Sequence, residues 1–349
     1  MREMDRIASL LDDALAAGLG SAAAVSVGDA GVEVFRYVRG HRWRVPELGP
    51  PIDDHTPFDL ASLTKPMATV AIAMAEPAQN LDLPVAQLVS KAVCRGTVRQ
   101  LLAHGAGCAA HVEFFRWLRA TRPIDPRAAL IERAALEPCG DPGIASVYSD
   151  LGFILLGAIM TGWTGLEENF WHAVAEPLEL KARYALGPLD HAVATELDDR
   201  GLVCGLVHDE NAYWGGRACG HAGLFGSIDD VARFAAAMVR AASGERVGRF
   251  EPDVVRHFFT DAPIPGSTWR LGWDTPSHTP GVSQAGDRWP REHAVGHTGF
   301  TGTSLWLDLP RRRWCALLTN RVHPTRHAGT ADAIKVLRRA VNDVVASWP

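Results

Sequence analysis

The sequence predicts an α+β protein in which one antiparallel sheet, formed by the N- and C-terminal segments and flanked by helices, carries an inserted helical subdomain. Three observations lead there. β-Branched runs punctuated by turn residues occur near the start and again late in the 349-residue chain. The long stretch between them has helical spacing. The chain also closes on an amphipathic segment able to cover a sheet face.

Taken in order, Ile7, Leu10, Leu11, Ala14 and Leu15 share one helical face, with Glu3, Asp5, Asp12 and Asp13 off it, which predicts an N-terminal helix. Residues 22–27 and 32–38 flank Gly28-Asp29-Ala30-Gly31 and read as a hairpin. The Pro-rich stretch 44–57 reads as a surface loop. From Ser62 to about Phe259 the pattern is helical with long loops. Within it, the uncharged run 151–165, 15 residues long, predicts a buried core helix. Ser227-Ile228-Asp229-Asp230 has the form of a capping box opening a helix with Val231, Phe234, Ala235 and Met238. Strand signals return at 269–273, 293–299, 303–309 and 314–318. Residues 330–348 then predict a closing helix with Ala333, Ile334, Leu337, Val341, Val344 and Val345 on its apolar face. The implied division is a discontinuous sheet subdomain, 1–61 with 260–349, and a mainly helical subdomain, 62–259, with the active site at their interface.

Composition narrows the class. A chain 47% hydrophobic with net charge -5 is expected to be soluble and globular. Its slight acidity and lack of a basic stripe argue against a nucleic-acid partner. The run 151–165 is short for a membrane span, so no membrane partner is expected either. The acids among the first residues interrupt any secretory apolar core. Cys94, Cys108, Cys139, Cys204, Cys219 and Cys315 are scattered without C-x-x-C spacing, which indicates neither a disulfide framework nor a zinc ribbon. Together these point to a cytoplasmic location.

Chemistry concentrates at Ser62-Leu63-Thr64-Lys65. The chain holds four lysines (Lys65, Lys91, Lys181 and Lys335) against 31 arginines. A buried lysine can release its proton near neutral pH and an arginine cannot, so a lysine one turn behind a serine suggests proton transfer. Pro66 and the apolar run 67–75 place Ser62 at or just before the start of a buried helix. Two further segments stand downstream, Tyr148-Ser149-Asp150 and His297-Thr298-Gly299. His221-Ala222-Gly223 competes with the latter in form, but it precedes a capped helix and reads as a loop that borders the site. His208-Asp209-Glu210 and the His293/His297 and His323/His327 spacings lack the His-Glu-x-x-His form, so neither a metal nor a cofactor is expected.

Ser-x-x-Lys, Tyr-x-Asp and His-Thr-Gly, in that order, resemble the serine β-lactamase and penicillin-binding-protein superfamily. The branch most resembled is that of class C β-lactamases, D-alanyl-D-alanine carboxypeptidases and related esterases. The likeness runs from about Ala22 to Pro324 and includes Val98-Arg99-Gln100-Leu101-Leu102-Ala103-His104 and Gly220-His221-Ala222-Gly223-Leu224-Phe225. It implies that Ser62 is a nucleophile and that Lys65 or Tyr148 takes its proton, the choice between them staying open. It also implies that the His297–Gly299 strand aligns the substrate and that the N–H groups of Ser62 and Phe300 form an oxyanion hole. The sequence departs from the pattern twice. His297 replaces a lysine frequent in β-lactamases, and Asp150, which only accepts when ionised, replaces a donating asparagine. Both turn the expectation away from β-lactams and toward a cytoplasmic esterase acting on a small-molecule ester. The alternatives are an amidase or D-amino-acid peptidase, a β-lactamase, an acyltransferase, or a catalytically silent ligand-binding relative. Asp150 itself has two readings: a charge beside Lys65, or the N-cap of the helix that follows it.

Overall fold

The computed structural model describes residues 2–76, 80–161, 165–327 and 329–348. Its N-terminal helix, Arg2–Ala16, is followed by strands β1 (Ala22–Asp29) and β2 (Val32–Gly40). Ala30 and Gly31 join the strands with φ of 49° and 85°, the paired left-handed conformation that matches the twist of a tight hairpin. Then come the short strands β3 (Phe58–Asp59), β4 (Arg183–Tyr184), β5 (Ala194–Asp198), β6 (Gly201–Cys204) and β7 (Leu224–Gly226). Strands β8 (Ala294–Thr298), β9 (Ser304–Asp308) and β10 (Arg313–Thr319) lead to the C-terminal helix Thr330–Ala346.

Five strands form one antiparallel sheet in the order β2-β1-β10-β9-β8, so the two chain ends meet at the β1–β10 pair, with Ala23 opposite Thr319. Strand alternation sorts the side chains to two cores. Trp314, Ala316 and Leu318 of β10 face a large core shared with the central helices, including the Ser227-capped helix Ile228–Ala242. Cys315 and Leu317 face a smaller core with Ile7 and Leu11 of the first helix and Ile334, Val341 and Val345 of the last. The fold is thus mixed helix and antiparallel sheet, as the sequence predicts.

Three expectations change. Residues 269–273 form no strand, because Gly272 turns the chain at φ 81° and donates to the Leu102 carbonyl (2.8 Å). A Cβ at Gly272 would lie 2.1 Å from a Val70 methyl, so the turn is packed directly on the helix behind Ser62. Only Asp274 reaches the sheet, exchanging two 2.8 Å backbone hydrogen bonds with Gly296 of β8. The predicted 151–165 helix ends at Met160, and residues 162–164 lie outside the described structure. The middle of the chain is also less purely helical than its pattern, since it contributes the small sheets β3-β7-β4 and β5-β6. Among the described residues no helix is long and apolar enough to cross a membrane.

Candidate active site

A strained turn presents Ser62. The buried carboxylate of Asp59 accepts the N–H of Ala61 (2.8 Å) and of His208 (2.7 Å). Ala61 is held at φ 48°, the left-handed region that a Cβ disfavours. Ser62 follows in the 3₁₀ turn Ala61–Leu63, and Lys65–Val70 is π-helical, a conformation frequent at functional sites. The turn is clamped from the sheet side, where the Thr301 hydroxyl donates to the Asp59 carbonyl (2.9 Å) and that of Thr303 to the Leu60 carbonyl (3.0 Å).

Lys65 lies beneath Ser62 and is 0% exposed. Its Nζ donates to Ser62 Oγ (3.0 Å), Asp150 Oδ1 (2.8 Å) and the His221 carbonyl (3.2 Å), and stands 4.7 Å from the Tyr148 ring centre. Burial pulls the Lys65 ammonium down, but Asp150 and Tyr148 outweigh it and the net shift is upward. Burial pushes the Asp150 carboxyl up, yet Lys65 and His111 hold it well below the usual range. His111, exposed, approaches Asp150 Oδ2 at 3.2 Å and is raised by that contact. A chain of polar groups therefore runs from Ser62 through Lys65 and Asp150 to the surface. Asp150 is not the helix cap. Ser149 is, its hydroxyl accepting the Gly152 N–H (3.0 Å), and Asp150 opens the helix Asp150–Met160 with its carboxylate on Lys65.

Tyr148 is half-buried, and burial pushes its phenol up against the opposing pull of Lys65. Its ring sits 4.7 Å from His104, 5.5 Å from Trp269 and 6.0 Å from His297. His297 Nδ1 lies 2.9 Å from the Thr298 carbonyl, which can only accept, so Nδ1 carries the proton and Nε2 keeps a lone pair. Burial, seconded by Lys65, lowers His297 to about 3, so the ring is neutral.

Gly299 follows β8, and its lack of a side chain is set by the protein itself. A Cβ there would fall 2.7 Å from the Leu60 carbonyl and 2.1 Å from Thr303 Oγ1. Arg338, buried in the C-terminal helix, donates to the carbonyls of Gly299 and Thr303 (2.7 Å each) and fixes this turn from behind. Phe300 is exposed, stacked on His208 (5.7 Å) and 4.5 Å from the Arg321 guanidinium. Among the described residues neither the Ser62 nor the Phe300 N–H has a backbone acceptor.

Ser62, Tyr148, Asp150, His297, Thr298, Gly299 and Phe300 line one cavity of about 700 Å³, with Lys65 just under its floor. His221 does not line it. Its ring is buried against Asp209 (2.9 Å) and raised to about 10 by that partner, against the opposing effect of burial, while its carbonyl supports Lys65. Sequence reasoning missed Asp59, His111, Trp269 and Arg338. Only Arg338 left a readable sign: an arginine four residues after Ile334 and three before Val341 stands on a face that is otherwise apolar.

Comparison with known proteins agrees with this geometry. A "Putative D-alanyl-D-alanine carboxypeptidase" of Escherichia coli (strain K12) is 29% identical over 216 residues, 56% of this chain and 49% of the relative. An "N-acetylmuramyl-L-alanine amidase" of Bacillus subtilis (strain 168) is 30% identical over 202 residues, 52% of this chain and 45% of the relative. The chain thus spans about half the length of the curated relatives it matches. Among solved structures, "EstCE1, a hydrolase with promiscuous acyltransferase activity" has a TM-score of 0.72 at 19% identity, covering 99% of this chain and 98% of its own, a likeness of fold. The beta-lactamase family matches residues 7–339, nearly the whole chain and every segment of the site just described. The chain therefore belongs to the beta-lactamase family.

Proposed function

We propose that this protein hydrolyses small-molecule esters through an acyl-enzyme on Ser62. One observation carries the reading: Lys65 Nζ, fully buried, lies 3.0 Å from Ser62 Oγ and 2.8 Å from Asp150 at the floor of a roughly 700 Å³ cavity. A serine hydroxyl must lose its proton as it attacks. Lys65 rests as an ammonium, so it first sheds a proton along Asp150 and His111, then takes that of Ser62. Oγ adds to the ester carbonyl, and the N–H groups of Ser62 and Phe300 receive the oxyanion. Tyr148, a neutral phenol, stands where it can protonate the departing alkoxide, and it recovers a proton from the Lys65 ammonium, which returns Lys65 to the neutral form. Water then repeats the sequence on the acyl-enzyme. Esters are favoured over amides because an alkoxide asks less of the leaving-group acid than an amine does. His297 is neutral and Asp150 only accepts, so neither offers what a β-lactam carboxylate or acylamide carbonyl would use. The six unpaired thiols fit work in a reducing, cytoplasmic setting.

A second reading has its own support. Arg321 lines the cavity, 5% exposed, with no ion pair among the described residues. A buried guanidinium of this kind suits a substrate carboxylate, as on the amide or peptide substrates suggested by the names of two relatives.

Labelling by a fluorophosphonate, located by peptide mass spectrometry, tests the core of the proposal. Label on Ser62, hydrolysis of short-chain p-nitrophenyl esters, and a loss of about a thousandfold or more in Ser62→Ala are expected. Full activity in Ser62→Ala would refute it. Arg321→Ala should raise KM for carboxylate-bearing amides only if the second reading holds.

A further inference from the structure

Three thiols far apart in sequence meet outside the catalytic cavity. Cys94, Cys108 and Cys139 hold their sulphurs within 4.8 Å of one another, 3.8 Å from Cys94 to Cys108 and 3.7 Å from Cys108 to Cys139. All are unpaired; Cys94 and Cys108 are buried and Cys139 is half-buried. None lines the cavity of Ser62. They stand 14 and 31 positions apart, so no local motif marks them.

The loops that carry them are shaped for close approach. Each cysteine has a glycine within two positions. A Cβ on Gly96 would lie 2.8 Å from that of Ala106, and one on Gly107, at φ 80°, would lie 2.4 Å from the Gly140 carbonyl. The Gly140 N–H donates to the Gly107 carbonyl (2.8 Å), and Arg95 pairs with Asp141 across the Cys94 and Cys139 loops. A tetrahedral ion with metal–sulphur bonds of about 2.3 Å separates its sulphurs by about 3.8 Å, the spacing found for both close pairs. A disulfide would have to close one pair to about 2 Å and leave the third thiol unused.

We propose that Cys94, Cys108 and Cys139 form a binding site for one thiophilic divalent cation of the zinc type, with water as the fourth ligand beside the half-exposed Cys139. Binding displaces the three thiol protons as the metal–sulphur bonds form, with no change of oxidation state. The role is structural. The Cys108 loop continues into Ala109 and Ala110, whose carbonyls accept the Ser149 hydroxyl (2.6 Å) and the Asp150 N–H (2.8 Å). The segment after Cys139 is tied to the same loop by Gly143 and Val147, which donate to Gly105 and His104 (2.8 Å each), and it ends at Tyr148. An ion joining these loops braces the backbone that aims Tyr148 and Asp150.

The test uses the reduced full chain, stripped with a chelator and titrated anaerobically with Co²⁺ while the thiolate-to-cobalt charge-transfer band is read. Zn²⁺ would then be counted by elemental mass spectrometry after desalting. One ion per chain is expected, with affinity reduced more than about tenfold in Cys139→Ser, and unchanged in Cys204→Ser. Cys139 is the partly exposed member, and circular dichroism of that variant reports whether it folds. Parent protein that shows no charge-transfer band would overturn the proposal, as would equal binding by Cys139→Ser, or a disulfide among the three cysteines in non-reducing peptide maps of protein purified without added oxidant.

Discussion

At Ser62 the proton has to leave against the field that keeps Lys65 charged. Asp150 is the larger source of that field, since its carboxylate touches Nζ and its own pKa is depressed by the same contact. The sign follows directly. Asp150→Asn removes the anion, burial is left to act on Lys65 with less opposition, and its pKa falls. The rising limb of the kcat/KM profile, set by loss of the Lys65 proton, should therefore move to lower pH, by about one unit or more. The amide introduced by Asp150→Asn also supplies a donor, so turnover of the amide-bearing substrate nitrocefin should rise relative to simple esters. An unmoved profile would remove Asp150 from proton traffic. Lys65→Arg keeps the charge but not the exchangeable proton, and should lose activity by about a hundredfold or more, nearly as far as Lys65→Ala. Retention of most of the rate by the arginine variant would leave Tyr148 as the base.

Among the elements, β8 and the turn after it decide how the serine faces its substrate. Thr301 and Thr303 donate to the backbone just before Ser62, Gly299 fits against Leu60, and Arg338 holds the turn from the far side. Gly299→Ala would push its new methyl into the Leu60 carbonyl, and the expected cost is about 1–3 kcal/mol of stability. kcat should fall with it, because Ser62 moves with Leu60; a thermal melt beside steady-state kinetics checks both. This is also where sequence and structure diverge in an instructive way. The hairpin, the Ser227 box and the closing helix are legible because each is written in local spacing. Segment 269–273 reads as a strand and is none, because Gly272 serves Val70, a residue far away in the chain. Trp269 reaches the site only by that turn. The three-cysteine cluster is illegible for the same reason: its glycines are local, but their contacts are not.

For the whole molecule, the pair formed by buried His221 and half-buried Asp209 makes stability depend on pH. His221 is raised from 6.5 to about 10, so its contribution is complete below about 6.5 and is lost as pH rises through about 10. Asp209 is lowered from 3.8 to about 2, so its share is present above 3.8 and is lost as pH falls toward 2. Asp209→Asn leaves the imidazolium without its partner and should cost about 3 kcal/mol near pH 6, with a much smaller difference above pH 10. Urea melts of both proteins across that range measure the effect; a pH-independent difference would show that the aspartate acts through packing alone.

The β1–β10 pairing carries a consequence for how the chain comes off the ribosome. The hairpin of β1 and β2 can form as soon as it emerges, yet the other edge of β1 waits for a partner near residue 319. Until then an apolar strand edge has nothing to pair with, the condition under which nascent chains associate wrongly. Contacts this distant in sequence slow the final search. Completion of the sheet also brings Thr301, Thr303 and Arg338 to the Ser62 turn, so assembly of the catalytic centre waits until the chain has been made through residue 338.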